Sequence, residues 1–541
     1  MNLGLEKVNI LDCTLRDGGY VNDFTFGKDV ISGFLNKINK TNVECVEVGF
    51  LKGDKVDENR TYFPTMESIK NVLDGRKDDK IKYFVMYDTS SPLDLDKISK
   101  YDGTSVDGVR VIFKNNKIDE GYEACKKFIE LGYLVSANFV STNVYSDEDF
   151  AKNIKRFNEL DLFSMAIVDT FGSMKNDTFL HYIKVADENM RKDIILTYHG
   201  HNNLQQAYQN AISFVNLNLD RTIIIDASVF GMGRGAGNLN IELFAEYLNK
   251  TKNKKYHIVP MLEIMDEYLQ HIYETRFWGY SLPLYISGTL DVHPNYAIYL
   301  AEKNTLTEKS LYEIMSNISA SDKLIYKKDV AEKYYLDYMN NYINDNEDIS
   351  KLEERFRNKK ALIIAPGLSI NENKDSIKKL IDSDDVISIS LNFYNEDFKT
   401  DMIFSSNMRR YRGLDTEIDD FKKNNSNLEV ILTSNMREAV NKNYNINFYS
   451  IAVESKDIVD NAGLMAMKLM QMIGVKEVLV AGMDGYSENN PYVYNDMSTQ
   501  VDFSKVAGLR NELIKREIGN LKKYISIKFV TKSLYDELSL T

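Results

Sequence analysis

The feature that most constrains this chain is a rhythm. Over its first part a short apolar, β-branched run is followed by a polar or Gly-containing turn, then by a longer stretch with apolar residues every third or fourth position, and the cycle repeats. The apolar runs lie at 8–11, 45–50, 83–86, 108–113, 134–139, 165–168, 194–198 and 222–227. Between them stand patterns such as DVISGFLNKI (29–38), DEGYEACKKFIELG (119–132) and LQQAYQNAISFVNL (204–217), with the periodicity of helices packed on one face. Alternating strands and helices imply a parallel sheet. Eight such units in about 250 residues fit a (β/α)8 TIM barrel. An open doubly wound sheet of that size would more often split into smaller domains.

The rest of the 541 residues divides in two. Residues 256–350 read as a Tyr-rich helical extension that ends in the charged stretch NDNEDISKLEERFRNKK (344–360). The βα rhythm then restarts, with strand candidates at 361–367, 385–392, 402–406, 428–434 and 477–484. The expected organisation is therefore a barrel over 1–255, a helical extension over 256–350 and a Rossmann-like open α/β domain over 351–541.

Composition sets bounds on partners. The net charge of -13 argues against nucleic acid and anionic membranes, which need clustered Lys and Arg. Three Cys, all before residue 126, cannot build a disulfide framework and point to a reducing, cytoplasmic setting. Glu6 and Lys7 interrupt the start where a signal peptide would be apolar, and no run of ~18 apolar residues could span a membrane.

Three signals fall at the carboxyl ends of expected barrel strands, where barrel chemistry sits. These are LDCTLRDGGY (11–20), YHGHNN (198–203) and GMGRGAGNLNIE (231–242). His199 and His201, two apart in a strand, point to the same side. Asp17, at the top of the strand that follows strand eight around the ring, could add a carboxylate. Two imidazoles and a carboxylate suit Mn²⁺, Zn²⁺, Co²⁺ or Fe²⁺. An HxH strand end alone does not separate a ligand pair from polar surface; the RDG turn, the two following Asn and the Gly-rich loop do. Arg16 presents a planar donor fork that can hold a developing enolate oxygen. Glu47, acidic in an apolar strand, needs a partner, and Arg16 is the natural one. Asn238 closes the Gly-rich loop as a further oxygen ligand or a water-orienting group.

These motifs, in this order over residues 5–245, resemble the DRE-TIM metallolyase superfamily. That superfamily includes 4-hydroxy-2-oxovalerate aldolase, hydroxymethylglutaryl-CoA lyase and the isopropylmalate and citramalate synthases. The resemblance implies a divalent metal, Mn²⁺ first and Zn²⁺, Co²⁺ or Mg²⁺ next, held by Asp17, His199 and His201 with Asn238, and Arg16 as enolate stabiliser. GRGAGN is closer to the aldolase loop than to the synthase loop, which favours aldol chemistry on a 2-oxo acid and an aldehyde over acyl-CoA condensation. In one respect the chain departs from the aldolases. Tyr20 stands where they carry a His proposed as acid/base, so Tyr20, a metal-bound water and His293 all stay open as the base. Glu47, Asn138, Asp169 and Tyr296 complete the candidate substrate-binding set. His181, His257 and His271 sit on helical patterns and read as ordinary surface or core residues.

The second half resembles family-42-type sialyltransferases and related Rossmann-like proteins (the DUF115 group) of surface-glycan pathways, over residues 358–490. Such transferases use a His base; no His lies after residue 293. The resemblance therefore implies a module that binds a nucleotide or nucleotide-sugar, with Gly367, Ser369, Asn392, Ser406 and Asp484 as candidate contacts. Backbone N–H groups at the Gly367–Ser369 turn could meet a phosphate. The expectation is a metal-dependent aldolase in surface-polysaccharide metabolism, acting as a homodimer. A Claisen-type acyl-CoA synthase and a non-catalytic scaffold are the alternatives.

Overall fold

The computed structural model describes residues 5–303, 305–455, 457–486 and 507–536. The portions of the expected second domain at 487–506 and 537–541 lie outside these. The chain forms two compact units, Met1–Ala297 with Lys323–Ile325, and Ile298–Asp322 with Tyr326–Thr541. The helical stretch 256–350 is thus shared between the two units.

In the first unit all eight expected runs are strands, with ends within two residues of those read from the sequence. They are β1 (Val8–Asp12), β2 (Cys45–Leu51), β3 (Lys82–Asp88), β4 (Gly108–Phe113), β5 (Leu134–Phe139), β6 (Ser164–Asp169), β7 (Ile195–Gly200) and β8 (Ile223–Ala227). Neighbours pair in parallel, and β1 pairs with both β2 and β8. That closes the ring and makes a TIM barrel. A two-residue strand, Tyr62–Phe63, adds to β2.

The period of two along each strand sorts the side chains. Ile10, Val46, Val85, Val109, Val135, Ile167, Leu196 and Ile225 join the large cluster under the helices. Their neighbours Leu11, Cys45, Phe84, Ile195 and Ile224 form a separate cluster with Cys13 and Phe163, a plug inside the barrel. Helices cover the outside as their spacing requires. Lys28–Ile38 buries Ile31, Phe34, Leu35 and Ile38, one stripe at steps of three and four, each side chain contributing about 1.5–3 kcal/mol. The expected helix at 204–217 begins only at Ala207, because Gln205 has a left-handed φ of 58°.

The second unit contains a seven-stranded parallel sheet: β9 (Lys360–Ile364), β10 (Val386–Leu391), β11 (Met402–Ser405), β12 (Glu429–Thr433), β13 (Tyr444–Ile446), β14 (Glu477–Ala481) and β15 (Ser526–Phe529). The order is β13-β12-β11-β10-β9-β14-β15. The chain reverses its direction of travel across the sheet at β9, and ligands of open α/β sheets bind in the crevice at such a switch point. A cavity opens there, lined by Gly367, Asn392, Gly482, Asp484 and Arg510 among others. The edge strands β13 and β15 were not read from the sequence. They are short and interrupted by polar residues, YNI and SIKF, whereas the equally short β11 is an apolar run, MIFS. Among the described residues no helix is long and apolar enough to cross a membrane.

Candidate active site

The carboxyl ends of the barrel strands bring the first-half candidates together. Asp17, His199 and His201 are buried, and ligand atoms from all three lie within 4.8 Å of one another. Asp17 Oδ1 is 4.0 Å from His199 Nε2, and Asp17 Oδ2 is 3.8 Å from His201 Nδ1. The two imidazoles share one side of the β7 end, as the i, i+2 spacing requires, with ring centroids 5.1 Å apart. Asn238 reaches the cluster through a β-bridge to His201.

Glycine geometry makes that bridge. Gly231, Gly235 and Gly237 have φ of 60°, 65° and 83°, and Asn238 N–H donates to the Gly231 carbonyl at 2.9 Å. A Cβ on Gly237 would lie 2.2 Å from that same carbonyl oxygen, and one on Gly233 would lie 2.9 Å from Asp17 Oδ2. The loop passes this close only because these positions carry no side chain.

Beneath the cluster runs a chain of buried charges. Arg16 Nε donates to Glu47 Oε2 at 2.6 Å and Nη1 to Asp17 Oδ1 at 2.5 Å. Arg110 donates to the same Glu47 oxygen at 3.0 Å and to Asp226 Oδ2 at 2.5 Å. Asp226 Oδ2 also faces His199 Nδ1 at 3.0 Å. A carboxylate only accepts, so Nδ1 carries the proton and Nε2 presents its lone pair to the cluster. Sequence reading supplied Arg16 and Glu47 but missed Arg110 and Asp226. The signal was there: each is the one charged residue in an apolar strand, GVRVIF and IIIDA, as Glu47 is in CVEVGFL.

The donor set fits a divalent cation on two counts. His201 Nδ1 and Asn238 Oδ1 are buried and have no hydrogen-bond partner among the described residues, which is costly for polar atoms with nothing to bind. The buried charges are two guanidinium groups against the carboxylates of Asp17, Glu47 and Asp226, an excess of one negative charge that a bound cation would offset. Protonation states agree with ligation. Burial pushes the Asp17 carboxyl up, but Arg16 and the two imidazoles outweigh it and hold it well below the carboxylate range. Burial lowers His201 to about 4 against the pull of Asp17, so its ring is neutral.

The other candidates are placed unequally. Tyr20 stands at the mouth, 40% exposed as a residue, with Arg234 over its ring, 5.3 Å from the ring centre. A proton relay through Tyr20 called for a lowered pKa. Surrounding protein instead pushes its hydroxyl up to about 12, and Arg234 and Arg16 only partly offset this. His293, just before the helix Pro294–Glu302, folds back to the mouth, its Nε2 3.0 Å from Arg234 Nη2. Burial, then Arg234 and Lys114, drive its pKa down to about 2. Asp169 ends β6; its two oxygens accept from Ser173 and Met174 N–H at 2.9 and 3.0 Å, yet burial raises it to about 7. Asn138 is buried on β5, accepting from Ser136 at 3.2 Å. Tyr296 differs from expectation: it is fully buried and its hydroxyl donates to the Ile325 carbonyl at 3.3 Å, a packing position. His181 pairs with Asp147 and His257 with the Lys40 carbonyl.

In the second unit Gly367, Asn392 and Asp484 line the switch-point cavity. The Gly367–Ser369 turn departs from its expected role. Ser369 N–H and hydroxyl both donate to the Asp484 carboxylate, at 2.9 and 2.5 Å. An acidic side chain thus occupies the donors that a phosphate would use. Ser406 directs its hydroxyl to the Asp460 carbonyl at 3.4 Å.

A parallel eight-stranded barrel with a buried Asp–His–His cluster and an adjacent arginine at its mouth is the arrangement of a metal-dependent lyase or aldolase. Residues 110–266 match the family model described as HMGL-like. An oxaloacetate decarboxylase of Mycobacterium tuberculosis is 23% identical over 254 residues, covering 44% of this chain and 70% of that protein. A 4-hydroxy-2-oxovalerate aldolase of Geobacillus genomosp. 3 is 21% identical over 248 residues, covering 45% and 71%. Among solved structures, the N-terminal domain of a putative aldolase from Bacteroides vulgatus is similar at 24% identity with a TM-score of 0.46, covering 54% of this chain and 96% of that one.

Proposed function

We propose that the barrel is a divalent-metal-dependent aldolase that forms or cleaves a 4-hydroxy-2-oxo acid through a pyruvate enolate, with Mn²⁺ as its preferred ion. One observation carries this reading: Arg16 is hydrogen-bonded directly to Asp17 of the metal-ligand cluster, so a cationic fork lies beside the place where a 2-oxo acid would bind. The similarity to 4-hydroxy-2-oxovalerate aldolases supports it.

Asp17, His199, His201 and Asn238 Oδ1 would hold the ion, which when bound polarises the keto group of the 2-oxo acid. The chain's own residues do the rest. Glu47 fixes Arg16 by its Nε, leaving part of the fork to face the enolate oxygen as the C3–C4 bond breaks. His293, neutral at the mouth, can accept the C4 hydroxyl proton only once Arg234 turns from its Nε2 to another partner, because burial and that guanidinium 3.0 Å away disfavour the charged ring. Tyr20, whose phenol keeps its proton, positions that hydroxyl. Protonation at C3 then gives pyruvate, and the aldehyde leaves.

The similarity to an oxaloacetate decarboxylase supports a second reading, loss of CO₂ from a 2-oxo diacid, which passes through the same enolate. For residues 351–541 we infer a nucleotide- or sugar-binding module, supported by the cavity at the switch point; its fusion to an aldolase suits surface-sugar acid metabolism. The test is pyruvate release from a 4-hydroxy-2-oxo acid by protein stripped with chelator and reloaded with Mn²⁺. Release that depends on the ion is expected. Full activity in the stripped protein would overturn the metal role, and CO₂ release from oxaloacetate without aldol cleavage would favour the second reading.

A further inference from the structure

Arg16 has two carboxylate partners. Arg234 has none. Its backbone N–H donates to Asp17 Oδ2 at 3.2 Å, which ties it to the metal-ligand cluster. Its side chain crosses the face of Tyr20 and ends at His293 Nε2, 3.0 Å, and Asn295 Oδ1, 3.2 Å. Every one of these partners is uncharged. Lys114, beyond the end of β4, is the second cation that acts on His293, and neither it nor Arg234 forms an ion pair among the described residues.

The chain carries a net charge of -13, and the two other arginines at this end of the barrel, Arg16 and Arg110, are both paired with carboxylates. Two cations left unpaired at the mouth of a site create a local positive potential, which attracts an anion. Nor does His293 satisfy Arg234. Its Nδ1 already faces the Asn295 N–H at 3.2 Å, and a neutral imidazole has a single acceptor nitrogen. Two donors compete for it.

The position also says which part of the reaction this charge serves. The pyruvate half has its own cation in Arg16, beside Asp17 at the barrel axis. Arg234 extends from the same cluster towards the segment 293–295 on the outer side, where the aldehyde half must enter. We propose that Arg234 and Lys114 form a subsite for an anionic group, a carboxylate or a phosphate, on the aldehyde partner. This rests on the aldolase reading and narrows its substrate class: the aldehyde is acidic, unlike a simple alkyl aldehyde. Tyr20 and Asn295 place the anion by neutral contacts, and the guanidinium takes it through two parallel N–H bonds.

The experiment compares paired aldehydes with pyruvate and Mn²⁺ in the full-length enzyme: succinate semialdehyde against butanal, and glyceraldehyde 3-phosphate against glyceraldehyde. The expected result is a kcat/KM higher by about 10-fold or more for the anionic member of one pair, declining with ionic strength. The pair that shows it distinguishes carboxylate from phosphate. Arg234→Gln and Lys114→Gln are each expected to shrink that preference by about 5-fold or more, and Arg234→Lys to keep most of it. Because the readout is a ratio within one protein, loss of folded material does not imitate the effect. Equal kcat/KM within both pairs overturns the subsite, as does a ratio unmoved by Arg234→Gln. A rise confined to the KM for pyruvate also overturns it, since Arg234 would then hold the 2-oxo acid. Deuterium exchange at pyruvate C3 needs no aldehyde. Exchange without anion preference fails the subsite alone; no exchange fails the aldolase reading with it.

Discussion

Asp226 accepts a hydrogen bond from Nδ1 of His199 at 3.0 Å and so decides which nitrogen of that ring can hold a cation. Arg110 grips the same Asp226 oxygen and, at its other end, Glu47, which in turn holds Arg16. The proposed metal ligand and the proposed enolate stabiliser are thereby aimed by one buried chain of charges. Asp226→Asn is expected to weaken Mn²⁺ binding by about 10- to 100-fold, read by calorimetric titration. An unchanged affinity would show that His199 needs no carboxylate behind it. Arg110→Met strands two carboxylates in the barrel and is expected to cost about 3–5 kcal/mol of stability, visible as a lower urea midpoint.

Arg16→Lys tests the fork. Lysine keeps the charge but cannot bond Glu47 and an enolate oxygen in one plane. Turnover is expected to fall by about 100- to 1000-fold with Mn²⁺ affinity within a few-fold of the parent. A variant that loses both together would mean that Arg16 acts only by steadying Asp17.

His201 sets a pH window. Its folded-state pKa of about 4 lies below the ordinary 6.5, because burial disfavours the charged ring. Between those values the unfolded chain binds more protons than the folded one. Stability of the metal-free protein therefore falls as pH drops from about 6.5 to about 4, by roughly 3 kcal/mol in all, and His201 adds no further slope below that. Bound metal steepens the loss, since protons compete for the same nitrogen. His201→Gln is expected to flatten the slope of urea stability against pH in this window; an identical slope in the variant contradicts the assignment.

Gly237→Ala tests the loop. The residue has φ of 83° and its Cβ would meet the Gly231 carbonyl oxygen at 2.2 Å. A loss of at least about 1–3 kcal/mol is expected, with weaker metal binding as Asn238 shifts. Thermal unfolding with and without Mn²⁺ separates the two effects.

Much of this was legible in the chain because two rules act locally. The alternation of apolar runs and helical stripes marked all eight barrel strands, since each must bury one face on the helices and one in the barrel. The i, i+2 spacing of His199 and His201 carried directly into their shared direction. What escaped were relations set by the third dimension. Arg110 and Asp226 are each a lone charge in an apolar strand, the same sign that exposed Glu47, but that they meet each other and His199 follows only from the ring. Tyr20 and Ser369 show the converse. Their residue types fitted a proton relay and a phosphate turn, while burial raised one hydroxyl and the side chain of Asp484, 115 residues on, took the donors of the other.

The central claim is that Arg16 and the Asp17–His199–His201 cluster stabilise a pyruvate enolate. Its most direct measurement is exchange of the C3 protons of pyruvate in D₂O, followed by proton NMR, with metal-stripped protein, with Mn²⁺ restored, and with Arg16→Lys. The account predicts exchange that requires the metal and drops sharply in the variant. Exchange at the same rate in stripped protein, or none with Mn²⁺ bound, would contradict it.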